Sequence, residues 1–416
     1  MARLLDQKAT RAIDELVKAQ AVQDCLQFFA GEKQWINERH IELCRIPAPT
    51  FLEERRAEWM AAQFAALGWH VEADGAGNVI ARPDAARTGP YIALTAHLDT
   101  VLSPRNPEDI KVEPDGKFTG PGVSDNGAGL AALLAVARAW KLSCPVPDSE
   151  VRLLLVANVG EEGEGNLSGM RYLCNKRPLA DLIQTFVVLD GPATDHITCQ
   201  ALESRRFEVS FAGPGGHSWS DHGIGNPVHA LGRAIAFFCD LQTNGGPSGH
   251  ARTSFNFGII DGGASVNSIP TSARAKLDIR SENGARMDEM CTFLSTSVQK
   301  ALEVENDRAS KGRVSARIRE IGARPGGVLP EDSPILSYVR AADAWLGLRA
   351  RLDCASTDAN IPLSMSLPAI SIGAGGQGGG AHTPGEWYQP EGRDLGLQRI
   401  LLTLCLLMRE PAVTGG

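Results

Sequence analysis

The chain has 416 residues, 43% apolar and 22% charged, with a formal charge of -8 from 41 basic and 49 acidic side chains. That is an ordinary soluble, globular composition, long enough for two or three structural units. No long run of one sign occurs, which speaks against nucleic acid or an anionic membrane as the main partner. Nine scattered cysteines without a C-x-x-C pair fit reduced thiols in a cytosol better than a disulfide framework. Residues 1–8 carry charges every few positions and no secretory signal, and the longest apolar runs, such as 130–137, are too short to cross a bilayer. A cytoplasmic protein is expected.

The first 70 residues read as helices. Apolar side chains recur at helical spacing in Ala12, Ile13, Leu16, Val17 and Ala19, then in Met60, Phe64, Ala65 and Leu67; Pro47-Ala48-Pro49 breaks the second helix from the third. Strands at 70–73 and 78–81 follow, joined by the turn Asp74-Gly75-Ala76-Gly77. Three short apolar runs at 91–96, 151–157 and 186–189, alternating with segments such as a helix at 130–141, suggest buried strands of an α/β sheet. They end in His97-Leu98-Asp99, Gly160-Glu161-Glu162 and Asp190. Ligands of open α/β folds gather at strand carboxyl ends, so these three ends point to one site.

From about 203 to 319 the character shifts. Alternating segments at 206–211 and 273–280 fit half-exposed antiparallel strands. Helices are expected at 227–240, with Asn226 as cap and Pro227 in the first turn, and at 287–302. This reads as an α+β unit inserted into the α/β domain. A helix at 334–345, a strand at 369–372 and a last helix near 396–408 return to the earlier style. Residues 373–380 hold six glycines and read as a flexible run immediately before Ala381-His382.

The residues at the strand ends have metal-ligand chemistry. His97 and Asp99, two apart on a strand end, share a face, and a carboxylate such as Asp99 could fix the tautomer of a metal-binding imidazole. Asp125 opens a helix within Gly122-Val-Ser-Asp125-Asn-Gly-Ala-Gly129. It reads as a cap, but Ser124 or Asn126 could cap equally well and leave it free. Glu161 and Glu162 are adjacent carboxylates after an apolar strand, costly there unless solvated, paired or bound to metal. With Asp190 and His382 they make a mixed N/O set suited to zinc, cobalt or manganese. Two ions about 3.5–4 Å apart can hold and acidify a water, and a carboxylate off the metal can act as general base. Glu161 beside Glu162 fits that division.

Seven motifs in order carry a resemblance. They are Thr95-Ala-His97-Leu-Asp99-Thr-Val101, the Asp125 loop, Gly160-Glu161-Glu162-Gly163, Leu189-Asp190-Gly191, Gly215-Gly-His217-Ser218, Gly262-Gly-Ala-Ser-Val-Asn267-Ser-Ile-Pro270 and Ala381-His382. From about Trp35 onward the chain resembles the M20 metallopeptidases and deacylases. The resemblance implies an α/β catalytic domain with a mixed, mostly parallel sheet flanked by helices. Its two parts are expected at 1–202 and 321–416, with an inserted α+β lid or dimerisation domain at 203–320. It implies two divalent metal ions per chain, zinc first, with cobalt or manganese also suitable. His97 and Asp190 would hold one ion and Glu162 and His382 the other, with Asp125 bridging both. Asp99 would orient His97, and Glu161 would be the general base. His217 would reach a partner subunit's active site in a homodimer and stabilise the oxyanion. Asn267 and Arg280 would contact substrate, although Arg280 also reads as a solvated strand charge and Asn267 as a turn residue.

The implied reaction is cleavage of an amide bond in a small peptide, or alternatively of an N-acyl or N-carbamoyl amino acid. The Asp125-Asn-Gly-Ala-Gly129 form leans towards the peptidase type. Cys354-Ala355, before Ser356-Thr-Asp358-Ala-Asn360, stands where the family commonly has glycines; this leaves the shape of that loop open and removes no ligand. No G-x-S-x-G, P-loop or H-E-x-x-H pattern offers another chemistry.

Overall fold

The computed structural model describes residues 2–84, 89–243 and 252–409. The chain divides into two compact units, Met1–Ala201 with Gly327–Gly416, and Leu202–Gly326.

The first unit is built on a sheet that is nine-stranded among the described residues. Its centre is parallel. Tyr91–His97 lies between Arg152–Asn158 and Ile183–Leu189, and Ala369–Ile372 runs alongside the last of these. Every residue of Tyr91–His97 is buried, as a strand covered on both faces requires. Val79–Arg82 and His70–Ala73 add antiparallel strands at one side; at the other, His196–Ala201 joins antiparallel and pairs in turn with Gly327–Val328 and Arg351–Ala355. The helix Gly127–Leu142, rich in Ala and Leu, is buried almost all round. Helices Pro334–Leu346 and Arg393–Arg409 are joined by a buried ion pair, with Arg399 Nε 2.6 Å from Asp343 Oδ1.

Two sequence expectations change. Four helices, not three, precede residue 70: Ala2–Leu16, Gln20–Gly31, Lys33–Cys44 and Glu54–Ala66. Pro47-Ala48-Pro49 therefore separates the third from the fourth. One added break is the single residue Glu32 (φ -96°, ψ 27°) between two helices, which leaves no mark in the apolar spacing. The glycine run is ordered rather than flexible: Gln377–Gly379 pairs with Trp387–Gln389, and Gly375 and Gly376 take φ of 92° and 85°. Only glycine adopts such angles freely, so here it provides shape.

The second unit is a four-stranded antiparallel sheet in the order Thr253–Gly262, Ser272–Ser281, Glu203–Ala212, Ser315–Arg324. Helices Pro227–Thr243 and Gly284–Arg308 pack on it. Ala273, Ala275, Leu277 and Ile279 alternate inward and share a core with Phe238, Met290 and Leu294. The last strand runs through Arg324 across a bulge between Glu320 and Gly322, so the chain rejoins the first unit at Gly327, six residues later than the expected boundary. A short ribbon pairs Gly216–His217 with Ser268–Ile269. Among the described residues, no helix is long and apolar enough to cross a membrane.

Candidate active site

Parallel register determines which strand ends meet. Thr95 pairs with Val188 and His97 with Asn158, so His97 is level with Asp190 on one side and two residues short of Gly160 on the other. Three ionisable ends thereby converge at the carboxyl edge of the sheet. The loop into Gly127–Leu142 delivers Asp125. The strand pair around the glycine run delivers His382, whose own backbone lies in the left-handed region (φ 64°), a conformation that histidine tolerates better than most residues.

Asp125 stands between the two imidazoles. Its Oδ1 is 3.1 Å from His97 Nε2 and its Oδ2 is 3.1 Å from His382 Nε2; the latter nitrogen is also 2.9 Å from Glu162 Oε1. Ligand atoms of His97, Asp125 and Glu162 all lie within 4.8 Å of one another, a spacing that suits a metal ion. Asn126 makes Asp125 available by capping the helix itself, with Oδ1 accepting from the Gly129 amide and Nδ2 donating to the Leu189 carbonyl.

The electrostatics call for positive charge. Burial and the charge of Asp125 push the Asp190 carboxyl up to about 7. Hydrogen bonds to Asp125 and Glu162 push His382 up to about 10. Burial opposes a charge on His97, but the nearby carboxylates of Asp125 and Asp99 hold its pKa well above the usual imidazole value. Asp125 is pulled down by hydrogen bonds from both histidines despite its burial. The imidazoles supply the required charge as protons. A divalent cation among the same atoms would supply it and release those protons, so the donor set fits a metal.

Asp99 has a larger part than the one expected. His97 Nδ1 donates to the Asp99 carbonyl (2.9 Å), while the nearest Asp99 carboxylate oxygen is 3.5 Å away. The main chain at Asp99 thus fixes the imidazole. Its carboxylate accepts the backbone amides of Glu161 (3.0 Å) and Glu162 (2.9 Å) and the Thr50 hydroxyl (2.9 Å). Glu53, also buried, accepts the Gly160 amide at 3.0 Å. Glu161 and Glu162 are both buried. Asp358 is buried as well and accepts from Asn158, the last residue of the neighbouring strand, at 2.6 Å.

His217, Asn267 and Arg280 belong to the second unit. His217 and Asn267 are brought together in the short ribbon, where the Ser218 amide donates to the Asn267 carbonyl. His217 Nδ1 accepts from the amides of Trp219 (3.2 Å) and Ser220 (3.4 Å), which leaves Nε2 as the protonated, donating nitrogen of the exposed ring. Arg280 is not with them. It lies eight residues along the strand from Ser272, roughly 26 Å away at strand rise, and its Nε donates to Asp278 Oδ2 at 2.8 Å. The Asn267 side chain accepts from Ser265 at 2.6 Å, as a turn residue does.

The sequence reading missed the supports of the site: Thr50, Glu53, His40 and Glu386. Glu53, His40 and Glu386 act through backbone groups of another segment and Thr50 through the Asp99 carboxylate, so no spacing pattern announces them.

The strand-end position, the mixed imidazole–carboxylate cluster and the buried Glu161 next to Glu162 are the arrangement of a metal-dependent hydrolase. The chain matches Peptidase family M20/M25/M40 over residues 93–404. It is 25% identical over 325 residues to a succinyl-diaminopimelate desuccinylase of Granulibacter bethesdensis, covering 75% of this chain and 82% of that protein. It is 27% identical over 336 residues to a cytosol non-specific dipeptidase of Escherichia coli, covering 69% and 65%. A tripeptidase from Staphylococcus aureus shares the fold with a TM-score of 0.72 at 19% identity, over 91% of this chain and 99% of that one. The chain belongs to peptidase family M20/M25/M40 and is an amide-bond hydrolase of that family.

Proposed function

We propose that the chain is a two-metal peptidase acting on di- or tripeptides. The observation that carries this reading is Asp125, whose two oxygens face two different imidazoles at 3.1 Å each. His97 and Asp190 would hold one ion, Glu162 and His382 the other, and Asp125 both; zinc suits the set, as do cobalt and manganese. Bound metal would supply polarisation of the substrate carbonyl and a lowered pKa for water. Glu161 takes the proton of the attacking water and passes it to the leaving nitrogen. Its amide is held by the Asp99 carboxylate, so the main chain that carries it is fixed before substrate arrives. His217 donates Nε2–H to the developing oxyanion of a partner subunit's reaction. Asn267 and Arg280 contact substrate, with Arg280 suited to a terminal carboxylate; the length of strand between them means that one of the two does so from the partner subunit.

A homodimer through the second unit is part of this reading. Support comes from its edge strand Thr253–Gly262, which leaves Ile260 66% exposed. A cytoplasmic site of action accords with the cytosolic relative in Escherichia coli.

The second reading is a deacylase or carbamoyl-amide hydrolase acting on an N-substituted amino acid, favoured by the desuccinylase likeness. Mass-spectrometric hydrolysis of dipeptides, tripeptides, N-acyl and N-carbamoyl amino acids separates the two. Cleavage of unblocked peptides, stopped by a chelator and restored by zinc, cobalt or manganese, is the expected result. Cleavage of N-blocked amino acids alone would establish the second reading, and cleavage indifferent to chelation would remove the metals from both.

A further inference from the structure

Glu386 is a carboxylate with 3% exposure that none of the hydrolytic roles uses. It lies four residues after His382, at the start of the strand Trp387–Gln389. Its Oε1 accepts the backbone amides of Ser124 and Asp125, each at 2.8 Å, and its Oε2 accepts that of Gly122 at 2.8 Å. Its own carbonyl accepts the Gly120 amide at 3.0 Å. Four of the amides between Gly120 and Asp125 therefore converge on one residue. The turn that aligns them depends on Gly122 (φ 74°), where a β-carbon would lie 2.5 Å from Thr100 Cγ2.

We infer that Glu386 is the positioning residue of the bridging carboxylate. By holding the amide of Asp125 itself, it fixes the direction in which that side chain leaves the main chain, and so the angle at which its two oxygens meet His97 and His382. A bridging ligand must satisfy two partners at once, so a small rotation of its backbone spoils both contacts. Fixing its amide with a charged acceptor prevents that rotation. Glu386 also ties the orientation of Asp125 to that of His382, because Glu386 and His382 lie in the one turn that joins Gln377–Gly379 to Trp387–Gln389. The inference rests on the reading of the cluster as a metal site.

The test is cobalt(II) chloride titration of the full chain after chelator treatment, followed by calorimetry and by the visible d–d absorption of the bound ion. Glu386→Gln keeps the size of the side chain and sets an amide N–H against that of Gly122. Glu386→Asp keeps the charge and cannot span the three amides. Both are expected to fold with a cooperative melt in chelator, to bind cobalt about 10–100-fold more weakly, the usual cost of losing an outer-shell partner, and to show an altered absorption band. Should one variant fail to fold, the other decides. Wild-type affinity and spectrum in a folded variant would overturn the inference while leaving the metal site intact. Absence of cobalt binding by the unaltered chain would overturn the metal site, and the inference with it.

Discussion

Asp125 can face two imidazoles because its neighbour takes the other duties of a helix-opening residue. Asn126 caps Gly127–Leu142 and ties it to the Leu189 carbonyl beside Asp190. Removing either carboxylate should give distinct losses. Glu161→Ala is expected to keep its metal and lose about 10²–10⁴ in turnover, the usual contribution of a general base. Asp125→Ala should lose metal as well. Metal analysis beside steady-state kinetics checks both, and near-normal turnover in Glu161→Ala would remove Glu161 from the chemistry. At this scale the chemical groups were legible in the sequence because His97, Glu161, Glu162 and Asp190 sit where apolar runs stop, and Asp125 and His382 beside glycine-rich stretches. Their supports were not. Asp99 was read as a histidine's carboxylate, and the structure gives that hydrogen bond to its carbonyl while the carboxylate holds the Glu161–Glu162 turn. Spacing in a sequence names a residue; it does not distinguish its main-chain oxygen from its side chain.

Helix Lys33–Cys44 presses its buried His40 against the Asp125 loop. Nε2 donates to the Val123 carbonyl at 2.7 Å, and Nδ1 accepts from Arg393 at 2.8 Å. Burial, reinforced by the Arg393 charge, lowers the pKa of this imidazole well below its ordinary value. In the unfolded chain it takes up a proton near pH 6.5, and in the folded chain it does not. Below that pH the unfolded state binds more protons, so stability falls as pH falls, by up to about 1.4 kcal/mol per unit from this group. His40→Gln, able to donate and accept at similar positions, should lose that slope. Urea midpoints at about pH 7 and about pH 5.5 measure it. Equal slopes in the two proteins would show that His40 is protonated in the fold. None of this was visible in the sequence. The helix has a low contrast between its faces, and a histidine on it carries no sign of what it will touch.

The whole molecule is two units, one made of both ends of the chain and the other of its middle. The change from apolar runs to alternating strands near residue 203 made the insertion legible. The return was harder to place, because Ser315–Arg324 alternates up to the point where the first unit resumes. The proposed dimer predicts a particular complementation. Co-expressed Glu161→Ala and His217→Ala chains should form mixed dimers in which one site has both residues intact. With random pairing of a two-fold dimer, about a quarter of wild-type activity returns. No recovery from a mixed, dimeric preparation would mean that His217 serves its own chain or none.

Glu386 meets Gly122, Ser124 and Asp125 across 264, 262 and 261 residues of sequence. During synthesis, a ribosome that has released His97, Asp125, Glu161, Glu162 and Asp190 has yet to make either His382 or the residue that clamps the Asp125 loop. Between Asp190 and His382 the nascent chain therefore carries the acidic residues of the proposed metal site without the two that complete its geometry. The selectivity of the proposed site for one cation thus waits on His382 and Glu386, the last of its named residues to be made.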